Sequence, residues 1–381
     1  MSFQPRFSYT HAMAKNLGII EAARAVVEVL PLPLDQVLFL RQAARQRATR
    51  NSTRIEGNTL NSAEVGRAVV AINKSPGEMQ QEVRNYWRAL EWIEEQVEAH
   101  RPWSEDFILE LHCIIVVRGH GRRGQQSKYR TEECPVVDAA TRRIDYGPPK
   151  PGDVPALMRE WLDWLRSTPA DELPGPLRAG LLAHRFVSIH PFSDGNGRTA
   201  RALATTELWR SGYDMRGFLS LEEYYAEDIN SYYDNLQMGL PVDFYEGRHD
   251  PDHTPWLDYF LSTMARAAEA LRRKAIGLYA PEKQTALPWE GLRRIDQQLI
   301  TRLLTRRLDK PLEPLVFNPS DIMEWYGISA TTARDWLKEW RDEDFVMPTK
   351  VEARRIRTYA LTNRWAELVQ RAVHSASNKK G

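Results

Sequence analysis

The sequence predicts a mostly α-helical protein, and three observations carry that prediction. Apolar residues recur at helical spacing through most of the chain, strand-like alternation is confined to short pieces, and prolines or glycines break the helical runs at 31–34, 102 and 212. With 381 residues there is room for two or three packed units. An apolar share of 42% and a charged share of 27% belong to an ordinary globular protein, which argues against collagen-like, coiled-coil and disordered classes.

Residues 18–49 read as helices interrupted by Pro-Leu-Pro-Leu at 31–34. Residues 79–99 keep Val83, Tyr86, Trp87, Leu90 and Ile93 on helical spacing, and Pro102 opens a further helix over 103–117. The stretch 119–152 changes character, because glycine, proline and short β-prone pieces around Val136 and Ile144 predict a loop carrying a small hairpin. Helices return over 153–166, over 177–189 with Leu177, Leu181, Leu182, Phe186 and Ile189 on one face, and over 198–210, stopping before Gly212.

Residues 247–256 are a turn-rich break, followed by a long helix over 256–276 and a linker over 281–291. Helical runs at 294–306, 319–325 and 330–341 then precede two β-like pieces around Val346 and Tyr359. That order resembles a winged helix-turn-helix with 329–340 in the recognition position. No internal repeat is visible, and 375–381 reads as a low-complexity tail.

The net charge of +1, from 52 basic and 51 acidic side chains, supplies no whole-molecule field for nucleic acid or anionic membrane. Two cysteines, Cys113 and Cys134, argue against a disulfide framework and for a reducing compartment, so the cytoplasm is expected. Neither a secretory leader nor an apolar run of about 20 residues is seen, so no membrane partner is expected.

Residues 190–201 read HPFSDGNGRTAR, small, polar and cationic in a way no core tolerates. Gly195, Asn196 and Gly197 form a turn at a helix N-terminus, where converging N–H groups and the helix dipole make an anion site. Arg198 and Arg201 lie on one helical face and suit a polyphosphate. Asp194 beside that site implies an intervening cation, and a hard oxygen ligand suits Mg²⁺. His190 titrates nearest neutrality and is the natural base, Pro191 holds it in an extended approach, and Phe192 plugs the core beneath. A bare Asp-Gly-Asn-Gly could equally be a capped turn; the full string is better explained as a site.

The string resembles the signature of the Fic family, HPFxDGNGRxxR, at every fixed position. The resemblance implies a Fic-type helical bundle with a small β-hairpin flap and an adenylyltransferase activity that uses ATP and Mg²⁺. It further implies that His190 deprotonates a target Ser, Thr or Tyr hydroxyl and that Asp194 holds the metal. Gly195, Asn196, Gly197 and Arg198 then bind phosphate, with Thr199 and Ala200 completing the nucleotide contacts, and Arg201 reaches the γ-phosphate. The implied division is an N-terminal helical region over 1–98, a catalytic core over 99–250, a connecting helix and linker over 251–290, and a winged-helix-like unit with its tail over 291–381.

Residues 52–58, Ser-Thr-Arg-Ile-Glu-Gly-Asn, have capping-box spacing between Thr53 and Glu56. Gly57 follows at once, however, and glycine there ends a helix. A carboxylate in a last turn opposes the helix dipole, so Glu56 is better explained by a nearby cation. Ser52, Glu56 and Gly57 resemble the inhibitory motif S/T-x-x-x-E-G/N of Fic proteins. That resemblance pairs Glu56 with Arg201 and sets it where the γ-phosphate belongs.

Residues 126–137 resemble the family's target-docking flap, with Lys128, Tyr129 and Arg130 in place, although an ordinary surface hairpin has the same pattern. Residues 229–237 resemble the segment walling the adenine pocket, with Tyr233 the leading contact and Tyr232 or Asn235 next; paired tyrosines also suit a core. His249 and His253 read as parts of a solvated loop more readily than as metal ligands. His184 reads as a packing residue, and His112 carries no pattern. The C-terminal unit has a modest basic excess, with Arg354, Arg355 and Arg357 on a presumed wing, so DNA and protein partners both stay open. The rival to the enzyme is an ATP-sensing DNA-binding regulator with a vestigial pocket. Self-modification, a homodimer and transfer or removal of a different group also stay open.

Overall fold

The computed structural model describes residues 3–71, 77–116, 127–137, 141–279, 292–310, 313–352 and 355–377. Thr10 caps α1 (His11–Val29), its hydroxyl accepting the Met13 N–H at 3.0 Å. After the proline break comes α2 (Leu34–Ile55), then α3 (Ser62–Val70), opened by a capping box of Asn61 and Glu64. Next are α4 (Glu78–Glu98) and α5 (Glu105–Val116). A short antiparallel hairpin pairs β1 (Val136–Val137) with β2 (Ile144–Tyr146). The middle of the chain then supplies α6 (Val154–Leu165), α7 (Thr168–Asp171), α8 (Gly175–Ile189), α9 (Asn196–Arg210), α10 (Glu222–Glu227), α11 (Ile229–Gln237) and α12 (Thr254–Leu278). The last part holds α13 (Arg294–Asp309), β3 (Val316–Phe317), α14 (Pro319–Tyr326), α15 (Ala330–Asp342), β4 (Val346–Glu352), β5 (Arg355–Leu361) and α16 (Asn363–Ser377). Its sheet is antiparallel in the order β3, β5, β4.

The mostly helical class expected from periodicity is therefore what folds. Several details differ. The helix expected over 198–210 begins at Asn196, because Gly195 takes the left-handed conformation at φ +74° and serves as its N-cap. Helix α3 was not foreseen, since its apolar run is too short to show a period. Helix α16 was not foreseen; it buries Trp365, Leu368, Val369 and Ala372 and takes in the first three residues of what read as a tail. His253, expected in a solvated loop, is fully buried 5.1 Å from the ring of His184, whereas His249 is exposed. The linker 281–291 and Arg354 lie outside the described residues.

The core is organised around α8, whose Leu177, Leu181, Leu182, Phe186 and Ile189 are all inaccessible. One continuous apolar cluster runs from Met13 of α1 through Phe186 and Leu203 to Leu303 and Val369, so the last part of the chain shares the core of the rest. Buried cations fix that junction. Arg302 of α13 pairs with Glu91 of α4 and donates to the carbonyls of Val69 and Trp325. Arg84 of α4 bridges the carbonyls of Ala68 and Ala71 to Glu324 of α14. Charges so enclosed are tolerated because each is paired and hydrogen-bonded. Among the described residues no helix is long and apolar enough to cross a membrane.

Candidate active site

The site is the bend between α8 and α9. Helix α8 ends because His190 takes φ 52° and ψ 57°, and its N–H still reaches the Phe186 carbonyl at 3.1 Å. The extended approach expected ahead of Pro191 is thus wrong, and a left-handed cap replaces it. That conformation costs a non-glycine residue free energy, so the surroundings must hold it. Arg130 does so: its Nε donates to the His190 carbonyl at 2.8 Å, its backbone N–H to the Pro191 carbonyl at 2.9 Å, and its Nη2 to the Pro149 carbonyl.

The His190 Nδ1 lies 3.3 Å from the Val187 carbonyl. In that arrangement Nδ1–H donates and Nε2 keeps its lone pair. Burial lowers the ring to about pKa 4, with the Arg130 charge acting in the same direction, so the imidazole is neutral at physiological pH.

Beyond Pro191 the chain is pinned from inside. The Asn196 side chain accepts the Phe192 N–H at 3.0 Å and donates to the Phe192 carbonyl at 2.7 Å. Phe192 is buried as expected and stacks on His112, ring centroids 3.5 Å apart. His112 also donates from Nε2 to the Asp194 carbonyl at 2.8 Å, while Nδ1 meets the Ser127 hydroxyl at 2.6 Å. Sequence reasoning missed His112, because nothing local ties α5 to a turn 82 positions away.

Helix α9 has no side-chain cap, so the N–H groups of its first turn face the site without an internal partner. Arg198 on this turn and Arg201 on the next are only 4% and 5% exposed. Arg201 donates from Nε to the Ser52 hydroxyl at 3.0 Å, and from Nη2 to the Ser52 carbonyl and Glu56 Oε1, both at 2.8 Å. Burial alone would lower its pKa, and the Glu56 carboxylate more than reverses that. A Cβ on Gly197 would stand 2.3 Å from Glu56 Oε1, so the carboxylate rests directly on the helix N-terminus and only glycine leaves it room. Glu56 is the C-cap of α2, and Gly57 at φ +95° turns the chain away; Thr53 lies inside the helix and caps nothing.

Arg198 Nη2 donates to both Asp194 oxygens, at 3.1 and 3.2 Å, and Nη1 meets Glu82 Oε1 at 3.3 Å. The Asp194 side chain is 75% exposed, and among the described residues no group of three or more His, Cys, Asp or Glu could hold a metal. A solvent-open carboxylate beside an anion site fits Mg²⁺, which takes one or two protein carboxylates and completes its shell with phosphate and water.

Other expected contacts divide. Tyr233 is 37% exposed at the rim, its hydroxyl donating to the Ile55 carbonyl at 3.3 Å, whereas Tyr232 is buried against Tyr225 and Trp256. Asn235 donates to its own helix at Ser231. The side chains of Thr199 and Ala200 are buried, and Ala200 lines an inner cavity with Ala183, Tyr232 and Trp256 instead of the turn. In the flap, Lys128 is exposed, but Tyr129 packs towards Phe192 and Arg130 is enclosed. Those two are scaffold and not docking surface, because both are spent on holding the bend. The open apolar edge is Val136, Val137 and Ile144. On α15 the exposed Arg334, Lys338 and Arg341 are balanced by Asp335, Glu339 and Asp342, which leaves no cationic stripe for a phosphate backbone.

Residues 102–208, from just ahead of α5 through most of α9, match the model of the Fic/DOC family. The chain carries a Fic domain. The protein adenylyltransferase Fic of Nematostella vectensis is 32% identical over 169 residues, 43% of this chain and 37% of that protein. Its counterpart in Aedes aegypti is 31% identical over 194 residues, 49% of this chain and 36% of that protein. The chain therefore spans well under half the length of these curated relatives. A crystal structure of a Fic family protein from Desulfovibrio desulfuricans aligns over 95% of this chain and 99% of that one, with TM-score 0.56 and 22% identity. A Fic domain containing signaling protein from Bacteroides thetaiotaomicron aligns over 69% and 98%, with TM-score 0.56 and 24% identity. At those identities the likeness establishes the fold alone. The Glu56 segment and everything beyond α9 lie outside the matched Fic residues.

Proposed function

We propose that this chain is a protein adenylyltransferase that moves AMP from ATP to a Ser, Thr or Tyr hydroxyl of a protein, and that Glu56 restrains it. One observation carries the reading: a neutral imidazole, hydrogen-bonded through Nδ1, ends the helix that leads into a helix N-terminus with no side-chain cap, bearing two buried arginines. The Fic match and the adenylyltransferase relatives favour it.

His190 Nε2 takes the proton of the incoming hydroxyl as its oxygen bonds to the α-phosphorus, and the bond to pyrophosphate breaks. The first turn of α9 and Arg198 hold phosphate oxygens, and Arg201 receives the γ-phosphate, so most of the protein's contribution is position and fixed positive charge. Asp194 would hold Mg²⁺, which when bound neutralises phosphate charge. The edge at Val136, Val137 and Ile144 offers an extended target segment a strand to pair with. Glu56, by lying on Gly197 and Arg201, occupies the place of a phosphate.

Incubation with α-phosphate-labelled ATP and Mg²⁺ should transfer label to this chain or to a partner, with a mass gain of one AMP. His190→Ala should remove the transfer. Label passing equally in His190→Ala, or no nucleotide binding at all, rejects the reading.

A further inference from the structure

Three carboxylates meet two guanidinium groups at the bend, and the sharing is uneven. Arg201 faces Glu56, while Arg198 faces both Asp194 and Glu82. Glu82 belongs to α4, outside the signature and outside the segment that carries Glu56. Its second oxygen, Oε2, accepts from Asn58 Nδ2 at 2.9 Å. Asn58 stands two residues past Glu56 and is itself fixed. It is 5% exposed, its Nδ2 also donates to the Met79 carbonyl at 2.9 Å, its Oδ1 accepts the Leu60 N–H at 3.1 Å, and its own N–H reaches the Thr53 carbonyl at 3.1 Å. A chain of contacts thus runs from the turn after Glu56, through Asn58 and Glu82, to Arg198.

The consequence is electrostatic. Two negative charges on one guanidinium leave little positive potential for an incoming polyphosphate. When nucleotide arrives with its metal, Asp194 has a new partner, and the Glu56 side chain at the C-cap of α2 turns off Arg201. Glu82 has neither exit, because it is rooted on α4 and held from behind by Asn58. Its contact with Arg198, at 3.3 Å, is looser than the 2.8 Å of Glu56 on Arg201, so phosphate can displace it, at a cost in affinity.

We propose that Glu82 is an affinity-setting residue of the nucleotide site: it competes with phosphate for Arg198, and Asn58 ties its position to the Glu56 turn. The proposal rests on the reading of the bend as a nucleotide site. It makes the hold on the site two-armed, with Glu56 on one arginine and Glu82 on the other, so that removing Glu56 frees only half of the phosphate-binding charge.

The test uses the full chain with Glu56→Gly, and compares it with the same chain also carrying Glu82→Gln, by calorimetric titration with ATP and Mg²⁺ and separately with adenosine. Glu82→Gln keeps the shape and removes the charge. The Kd for ATP should fall about tenfold, the scale of one charge taken from beside a phosphate, while the Kd for adenosine stays where it was. The gain should shrink as salt rises. Asn58→Ala, which keeps the charge but releases its tether, should tighten ATP in the same direction by less, and serves if Glu82→Gln does not fold. An ATP affinity that is unchanged or weakened, or an equal gain for adenosine, overturns the proposal. Tighter ATP binding without AMP transfer would keep this proposal and reject the enzyme; absence of ATP binding in every variant rejects both.

Discussion

Glu56 Oε1 lies 2.8 Å from Arg201 Nη2, a contact between residues 145 positions apart that joins the end of α2 to the second turn of α9. The arginine is nearly enclosed, and Ser52 fixes it through both a hydroxyl and a carbonyl. Removing the carboxylate therefore leaves a guanidinium already oriented for an anion.

The first prediction follows from that arrangement. Glu56→Gly should raise incorporation of labelled AMP about tenfold or more, the scale expected for vacating one charge-assisted contact. Glu56→Gln should raise it less, because the amide oxygen still accepts from Arg201. Ser52→Ala in the Glu56→Gly chain should lose part of the gain, since Arg201 Nε then has no hydroxyl to face. Equal incorporation in the parent and in Glu56→Gly would remove the inhibitory role.

His190 supplies the second. General-base catalysis of this kind is worth about 10²–10⁴-fold, and His190→Ala should lose at least the lower figure. The pH dependence has a definite sign. The neutral ring is the active form, and burial holds its pKa near 4, below the ordinary 6.5. The kcat/KM profile should hold level from neutrality down to about pH 5 and fall as pH approaches 4. An acid limb centred at 6.5 would show that the free enzyme does not bury the ring in this way.

Much of this site was legible in the sequence because its working parts are contiguous: His190, Asp194, the glycines and both arginines lie within the twelve residues 190–201, where local chemistry speaks. Glu56 was legible for a different reason, since an acid at a helix end with glycine after it violates the dipole preference and calls for a distant cation. What was hidden depends on tertiary approach. His112 and Glu82 are ordinary residues of amphipathic helices, and only the packing of α5 and α4 against α9 brings them to the bend. The inward roles of Tyr129 and Arg130 were hidden by their neighbour, because a basic, aromatic, glycine-flanked stretch reads as surface. Among the elements, most long periodic helices were legible; α3 and β3, too short for a period to show, were not, and neither was α16.

Gly195 makes the third prediction. It sits at φ +74°, and a Cβ there would meet Val116 Cγ1 at 2.5 Å and His112 Nε2 at 3.4 Å. Gly195→Ala combines a backbone penalty with a steric clash, which together cost about 1–3 kcal/mol. Thermal unfolding should show a melting temperature several degrees lower, and ATP binding should weaken because the N-cap of α9 shifts. Gly212→Ala is the control, since a Cβ there meets nothing within 4 Å although φ is +78°. It should cost only the backbone part, so a fall as large as that of Gly195→Ala would show that the clash contributes nothing.

The last prediction concerns the buried pair His184 and His253, which join α8 to the N-terminal segment and to the start of α12. His184 Nε2 donates to the Leu236 carbonyl at 3.0 Å, and His253 Nδ1 lies 3.3 Å from the Arg6 carbonyl. Both remaining ring nitrogens are buried without a partner. Protonating either would place a new N–H and a charge beside the other ring, Trp256 and Phe3, with Arg185 and Arg248 adding repulsion that Asp250 and Asp252 only partly offset. Burial accordingly lowers His253 to about pKa 4 and His184 well below the ordinary 6.5. The unfolded chain binds these protons first, so the stability they contribute is whole above pH 6.5 and drains away as pH falls towards 4. The melting temperature should therefore decline between pH 6.5 and 5, before the carboxylates titrate, and His253→Gln should flatten that slope while lowering the plateau. A parent melting temperature that stays level across this window would mean that the two rings are charged, or solvated, in the folded protein.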